Sequence, residues 1–217
     1  MQLPDDIFTE PANIDPDTLA NLGPLLRLAG VWEGKAGQDV NPKADGPQRR
    51  GYTERIELQP IDAQPNGPQL FYGLRYHTHI NDPEEAITFH DQVGYWLWEP
   101  ATGLIQQTLA IPRGQVLLAA GHTKADADHF VVEAKRGQTN YGICSTDFLE
   151  GAFRTDSYRL EIRFHDDGTW SYDSRTMLAV RGEDEPFLHH DTNRLTLIAS
   201  PDCNPWQGIL NASKSGA

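Results

Sequence analysis

The chain has 217 residues, 38% of them hydrophobic, with 15 prolines and 19 glycines; that suits one large, turn-rich domain and is too apolar for disorder. Lys and Arg total 18 against 31 Asp and Glu, and the resulting net charge of −13 argues against nucleic acid and anionic membrane surfaces as partners. No apolar run approaches the roughly 20 residues of a membrane-spanning helix.

Residues 1–15 are polar and broken by prolines, and read as a flexible arm. Asp15 before Pro16 predicts a helix start, with Asp15 as N-cap and Pro16 at the first helical position. Leu19, Leu22, Leu25, Leu26 and Leu28 continue it as a short amphipathic segment, interrupted at Gly23-Pro24. The period then changes. Residues 34–51 read as a long polar loop, as well suited to disorder as to function. Strand-like runs follow at 53–58, 69–76, 87–98, 104–111, 116–122 and 130–134. The clearest alternation is Tyr158, Leu160, Ile162 and Phe164 on one face, against Arg159, Glu161 and Arg163 on the other. Residues 165–168 make a tight turn into a partner strand through Trp170 and Tyr172, and 99–103 and 111–114 are further turns. About ten short strands after one helix predict an all-β fold: an antiparallel up-and-down β-barrel capped by a short N-terminal helix. The expected organisation is an arm over 1–15, a single barrel domain over 16–200 and a C-terminal tail over 201–217.

Few residues carry obvious chemistry. Cys144 and Cys203 lie far apart and lack a CxxC pattern, so neither a disulfide framework nor a zinc ribbon is indicated. The N-terminal residues lack a basic segment followed by an apolar one, and a cytoplasmic protein is expected. Ser145, Ser157 and Ser171 lack a nucleophile elbow, and no glycine-rich phosphate loop is present. Trp32, opening the first strand after Gly30, suits a plug for the barrel floor. His77 and His79 share one strand face, a spacing found in strand-borne metal sites, with Glu84 and His90 not far on. His90 falls mid-strand, as a core or a pocket-lining imidazole. His189 and His190 fall near a late strand connection, where they read either as solvated loop histidines or as nitrogen donors for a metal or haem iron.

Taken in order, Gly30-Val-Trp32-Glu-Gly34, His90 with Gly94-Tyr95-Trp96, and Leu109-Ala-Ile-Pro112-Arg-Gly114 form a series. Gly121, Leu149-Glu-Gly-Ala-Phe153, Gly168-Thr-Trp-Ser-Tyr172 and Glu185-Pro-Phe-Leu-His189 continue it. From about Leu22 to Leu197 the chain resembles the nitrobindin-like haem-binding β-barrels, relatives of the fatty-acid-binding-protein and lipocalin-type barrels, and most resembles a longer bacterial branch. It departs from the nitrobindins at residues 35–42, at Arg113 and at Leu197.

The resemblance implies a ferric b-type haem near the barrel mouth. It implies His189 as the iron ligand, with His190 as the alternative one place on, and His90 as a wall residue on the other side of the haem. Trp32 belongs to the same implied pocket. The implied function is binding of nitric oxide and isomerisation of peroxynitrite to nitrate. The alternative is a haem-free, lipocalin-like carrier of a small hydrophobic ligand. Either way the partner is a small molecule, and assembly as a homodimer stays open.

Overall fold

Alternating apolar side chains on strands too numerous for an open sheet have one economical outcome, which is closure. The computed structural model describes residues 4–82, 84 and 88–215. Its strands are β1 (Gly30–Lys43), β2 (Gly46–Pro60), β3 (Gln64–Asn66), β4 (Gln69–Asn81), β5 (Thr88–Glu99) and β6 (Leu104–Ile111). They continue as β7 (Gln115–His122), β8 (His129–Arg136), β9 (Gly142–Cys144), β10 (Phe153–Phe164), β11 (Trp170–Val180) and β12 (Phe187–Ala199). The sheet runs β2-β1-β12-β11-β10-β8-β9-β7-β6-β5-β4 and closes through a β2–β4 pairing. Ten long strands build the wall; three-residue β9 is wedged between β7 and β8, and β3 attaches to β4 from outside the ring. The expected all-β barrel is therefore present. Ile87, read as a strand start, lies outside the described residues.

Three helical pieces accompany the barrel: α1 (Thr18–Asn21), α2 (Asp147–Ala152) and α3 (Pro205–Ser215), with a 3-10 turn over Gly23–Leu28 after α1. The helix start lies two residues beyond the expected one. Asp17 is the N-cap and accepts from Ala20 N at 3.2 Å, while Asp15 bonds back to Asp17 N at 2.9 Å. Leu22, Leu25 and Leu28 are fully buried and plug the barrel end beneath Trp32 and Trp98, whereas Leu26 faces water. Gly23 adopts φ +53°, and a Cβ there would stand 2.5 Å from Trp98 Nε1, so the interruption at Gly23-Pro24 lets the cap fold onto that ring.

The largest departure from expectation lies at residues 34–51. They form no loop: β1 and β2 pair continuously as a hairpin from Gly30↔Leu58 to Lys43↔Gly46. A bulge between Gly34 and Gly37 adds one residue, so that Gly37 and Asp39 turn inward. Gly37 is required there because the Tyr52 ring lies where a side chain would go, with a Cβ only 2.2 Å from it. The cavity-side pattern of β1 is thus polar and out of phase, which is why it reads as loop.

The C-terminal segment carries helix α3 and is pinned by Asn204, which is 1% exposed. Asn204 donates to Pro16 O at 3.0 Å and Asp62 Oδ1 at 2.7 Å and accepts from Thr18 N at 3.2 Å. Replacing Asn204 by alanine leaves the buried Thr18 N–H without its acceptor and Pro16 O without this donor, while Asp62 Oδ1 keeps Trp206 N. A loss of about 2 kcal/mol in unfolding free energy, read from denaturant titration, is expected. Of the described residues, no helix is long and apolar enough to cross a membrane.

Candidate functional site

The period of β12 decides which histidine faces inward. His189, Asp191, Asn193 and Leu195 take one side of the strand, and His190, Thr192 and Arg194 the other. His189 lines a cavity of about 490 Å3 inside the barrel. His190 points outward to Asp173, Nε2 to Oδ2 3.1 Å, so it stands outside the cavity. Both histidines lie within a strand. The connection that the sequence reading gave them is residues 181–186, which precede them.

Around His189 the strands gather acid. Its Nε2 lies 2.9 Å from Asp39 Oδ1 on β1 and 3.4 Å from Asp191 Oδ2 on β12. Burial opposes a charged imidazole, but hydrogen bonds to Asp191 and Asp39 outweigh it and raise His189 to about 10. Burial likewise opposes ionisation of Asp39, yet His189 and Asn41 hold it down at about 2. Asp39, 3% exposed, also receives Arg50 Nε at 3.1 Å and Asn41 Nδ2 at 2.5 Å. Arg50 in turn stacks 3.6 Å above the Phe89 ring. The outcome is an ion pair buried in the wall, with the imidazole protonated at neutral pH.

Deeper in the barrel, Tyr172 on β11 donates to Glu54 Oε2 at 2.8 Å and meets the Tyr52 hydroxyl at 2.7 Å; Asn193 Nδ2 reaches the same Oε2 at 2.9 Å. Burial pushes Glu54 up to about 7 against those two donors. On the opposite wall, His90 Nε2 lies 3.2 Å from Gln92 Oε1, and Gln92 donates to Tyr76. Burial, helped by His189 and Arg113, holds His90 below the usual imidazole range, so it is neutral. Its β5 neighbour Asp91 faces outward, as the strand period requires.

The remaining lining is mixed. Ile56, Leu58, Leu109, Leu117, Leu160 and Trp170 give apolar wall, while Lys43, Arg50 and Arg113 sit where the β1–β2 hairpin tip and the β6–β7 turn frame one end. The buried Trp170 Nε1 and Asn41 Oδ1, both of lining residues, have no hydrogen-bond partner in the structure. A cavity within the roughly 300–1,000 Å3 range of ligand sites, with an apolar part to its wall, cations at one end and two imidazoles, suits a flat apolar molecule with acidic groups. A haem fits that description: walls for the macrocycle, cations for its propionates, and His189 or His90 for iron. One condition attaches, because Nε2 of His189 must give up its proton before it can ligate.

Of the expected site residues, His189 and His90 share the cavity. His190 does not, and Trp32 lies in the floor, bonded to Leu28 O at 2.8 Å and edge-on to Trp170 at 5.9 Å. Asp39, Glu54, Tyr52 and Arg50 were not singled out from sequence. All four lie on the β1–β2 hairpin, but only Asp39 and Arg50 fall within residues 34–51, which read as loop; the inward alternation of Arg50, Tyr52, Glu54 and Ile56 was the available clue.

Residues 21–196 match the family model of the THAP4-like, heme-binding beta-barrel domain. The chain belongs to this family. The fold is also that of a solved protein described as Rv2717c from M. tuberculosis, with a TM-score of 0.60 at 20% identity over 82% of this chain and 96% of that one. No curated protein sequence matches the chain. Family membership covers the barrel from the 3-10 cap to β12, and so includes both cavity histidines.

Proposed function

We propose that this member of the haem-binding barrel family holds a ferric b-type haem, with His189 as iron ligand and His90 on the opposite wall. Binding of nitric oxide and isomerisation of peroxynitrite to nitrate are the activities this reading extends to. The observation that carries it is the placing of His189 and neutral His90 in one cavity with a partly apolar wall and cations at one end. A bound ferric haem would supply a metal position open to small anions and diatomic gases. The chain's own groups would do the rest. Asp39 and Asp191 orient the His189 ring, and the proton on Nε2 must leave before iron is held. Lys43, Arg50 and Arg113 offer partners for propionates, His90 can hydrogen-bond a bound anion, and the apolar wall limits water.

A second reading is a haem-free carrier of a small hydrophobic acid. It is favoured by the carboxylate clamp, which ties up Nε2 of His189 as a donor. Hemin titration separates the two. The haem reading expects a saturable Soret band at one equivalent, and His189→Ala binding hemin at least roughly tenfold more weakly, a loss of about 1.4 kcal/mol. No Soret band, with displacement of an apolar fluorescent acid instead, would establish the carrier.

A further inference from the structure

A second cluster of donors stands on the outside of the barrel, on the other face of the strands that carry His90. On β4, His77 and His79 project outward two residues apart, and on β5 Asp91 lies directly across from His79. His77 Nε2 is 3.2 Å from Asp91 Oδ2, and His79 Nδ1 is 3.3 Å from the same oxygen. All three ligand atoms lie within 4.8 Å of one another. Zinc bonds of roughly 2.0–2.1 Å at tetrahedral angles put neighbouring ligand atoms roughly 3.3–3.4 Å apart. The two nitrogen–oxygen distances already match such edges. Glu84 and His90, the partners suggested by sequence proximity, do not join: Glu84 lies in the β4–β5 connection and His90 faces the cavity. Arg55, cross-strand from His79, leans toward Glu33 at 3.8 Å and so leaves Asp91 to the imidazoles.

We propose that His77, His79 and Asp91 form a surface site for a divalent transition metal of the zinc type, independent of the cavity. Two imidazoles and one carboxylate on two hydrogen-bonded strands hold three positions, and water completes the fourth. Such a donor set selects zinc, cobalt or nickel over magnesium and calcium, which prefer all-oxygen cages. The rings are half exposed, so the metal can enter without opening the barrel.

The test is zinc titration of the chelator-treated 217-residue chain, with bound metal counted by elemental analysis after gel filtration and cobalt used as a visible-absorption probe. His79→Ala and Asp91→Asn are each expected to hold one equivalent fewer than the parent protein and to lose the tetrahedral cobalt bands. His189→Ala, which removes the imidazole of the Asp39–His189–Asp191 group, is expected to keep both. Circular dichroism confirms that each variant is folded; these outward side chains contribute little to the core. Absence of any tight equivalent in the parent overturns the proposal. So does an equivalent that survives His79→Ala and Asp91→Asn but vanishes with His189→Ala.

Discussion

Asp39→Ala is expected to lower the unfolding free energy by about 3 kcal/mol near pH 6, because it leaves a buried imidazolium and Arg50 short of a carboxylate. The pH dependence identifies the cause. Asp39 sits at about 2 in the folded chain against 3.8 for an ordinary Asp carboxyl, so its contribution is present above pH 3.8 and fades as pH falls through 2. His189 sits at about 10 against 6.5, so its contribution is complete below pH 6.5 and fades as pH rises through 10. These are two views of one ion pair and are not additive. The gap between the parent protein and Asp39→Ala should therefore be widest between about pH 4 and 6.5 and narrow on both sides. Urea titrations across that range measure it. A gap that stays constant from acid to alkali would mean that Asp39 acts through packing alone. By NMR, the His189 titration midpoint should also fall in the variant, since one of the two carboxylates holding its proton is gone.

Glu54→Gln should act in the opposite direction. Burial raises Glu54 to about 7 from 4.5, so the unfolded chain ionises first and stability is lost as pH rises between those values. The loss amounts to about 3 kcal/mol by pH 8. An amide avoids it, and its oxygen can still accept from Tyr172 and Asn193, which now share Oε2. Equal melting temperatures are expected at pH 4.5, with the variant higher by roughly 6–12 °C at pH 8. If both proteins melt in parallel from pH 5 to 8, Glu54 is ionised at neutral pH and the cavity floor is wetter than its burial implies.

The two results bear on function as well as stability. A cavity with a carboxyl at depth that is still largely protonated below about pH 7 and an imidazolium in its wall suits an anionic or acidic guest. Ferric iron would have to compete with the proton on His189. Weaker hemin binding at lower pH follows from the same Nε2 chemistry as the Asp39 prediction.

Much of the architecture was legible because the strands with one dry face advertise it. Tyr158, Leu160, Ile162 and Phe164 alternate without a break and are all buried. Gly103, Gly114 and Gly168, placed in turns by sequence, each adopt positive φ. The hairpin of β1 and β2 was legible only at its base, around Trp32 and over 53–58, for two physical reasons. Its inward face carries Asp39, Tyr52 and Glu54 instead of aliphatic residues, and its bulge shifts the period by one. Asn204 was also hidden, since its three partners are 142 to 188 residues away in sequence.

The sequence by itself determined the class of fold, the plug of leucines before Gly30, and the short set of imidazoles from which a site could be built. Those follow from local rules, namely side-chain period and turn chemistry, which need no knowledge of distant neighbours. Only the tertiary structure decided what those imidazoles meet. Closure of the sheet puts β1 beside β12, so Asp39 reaches His189 across 150 residues, while strand pairing puts Asp91 against His79 on the outer face. His189 and His190 are adjacent in sequence and chemically identical. The pleat alone sends one into the cavity and the other to Asp173.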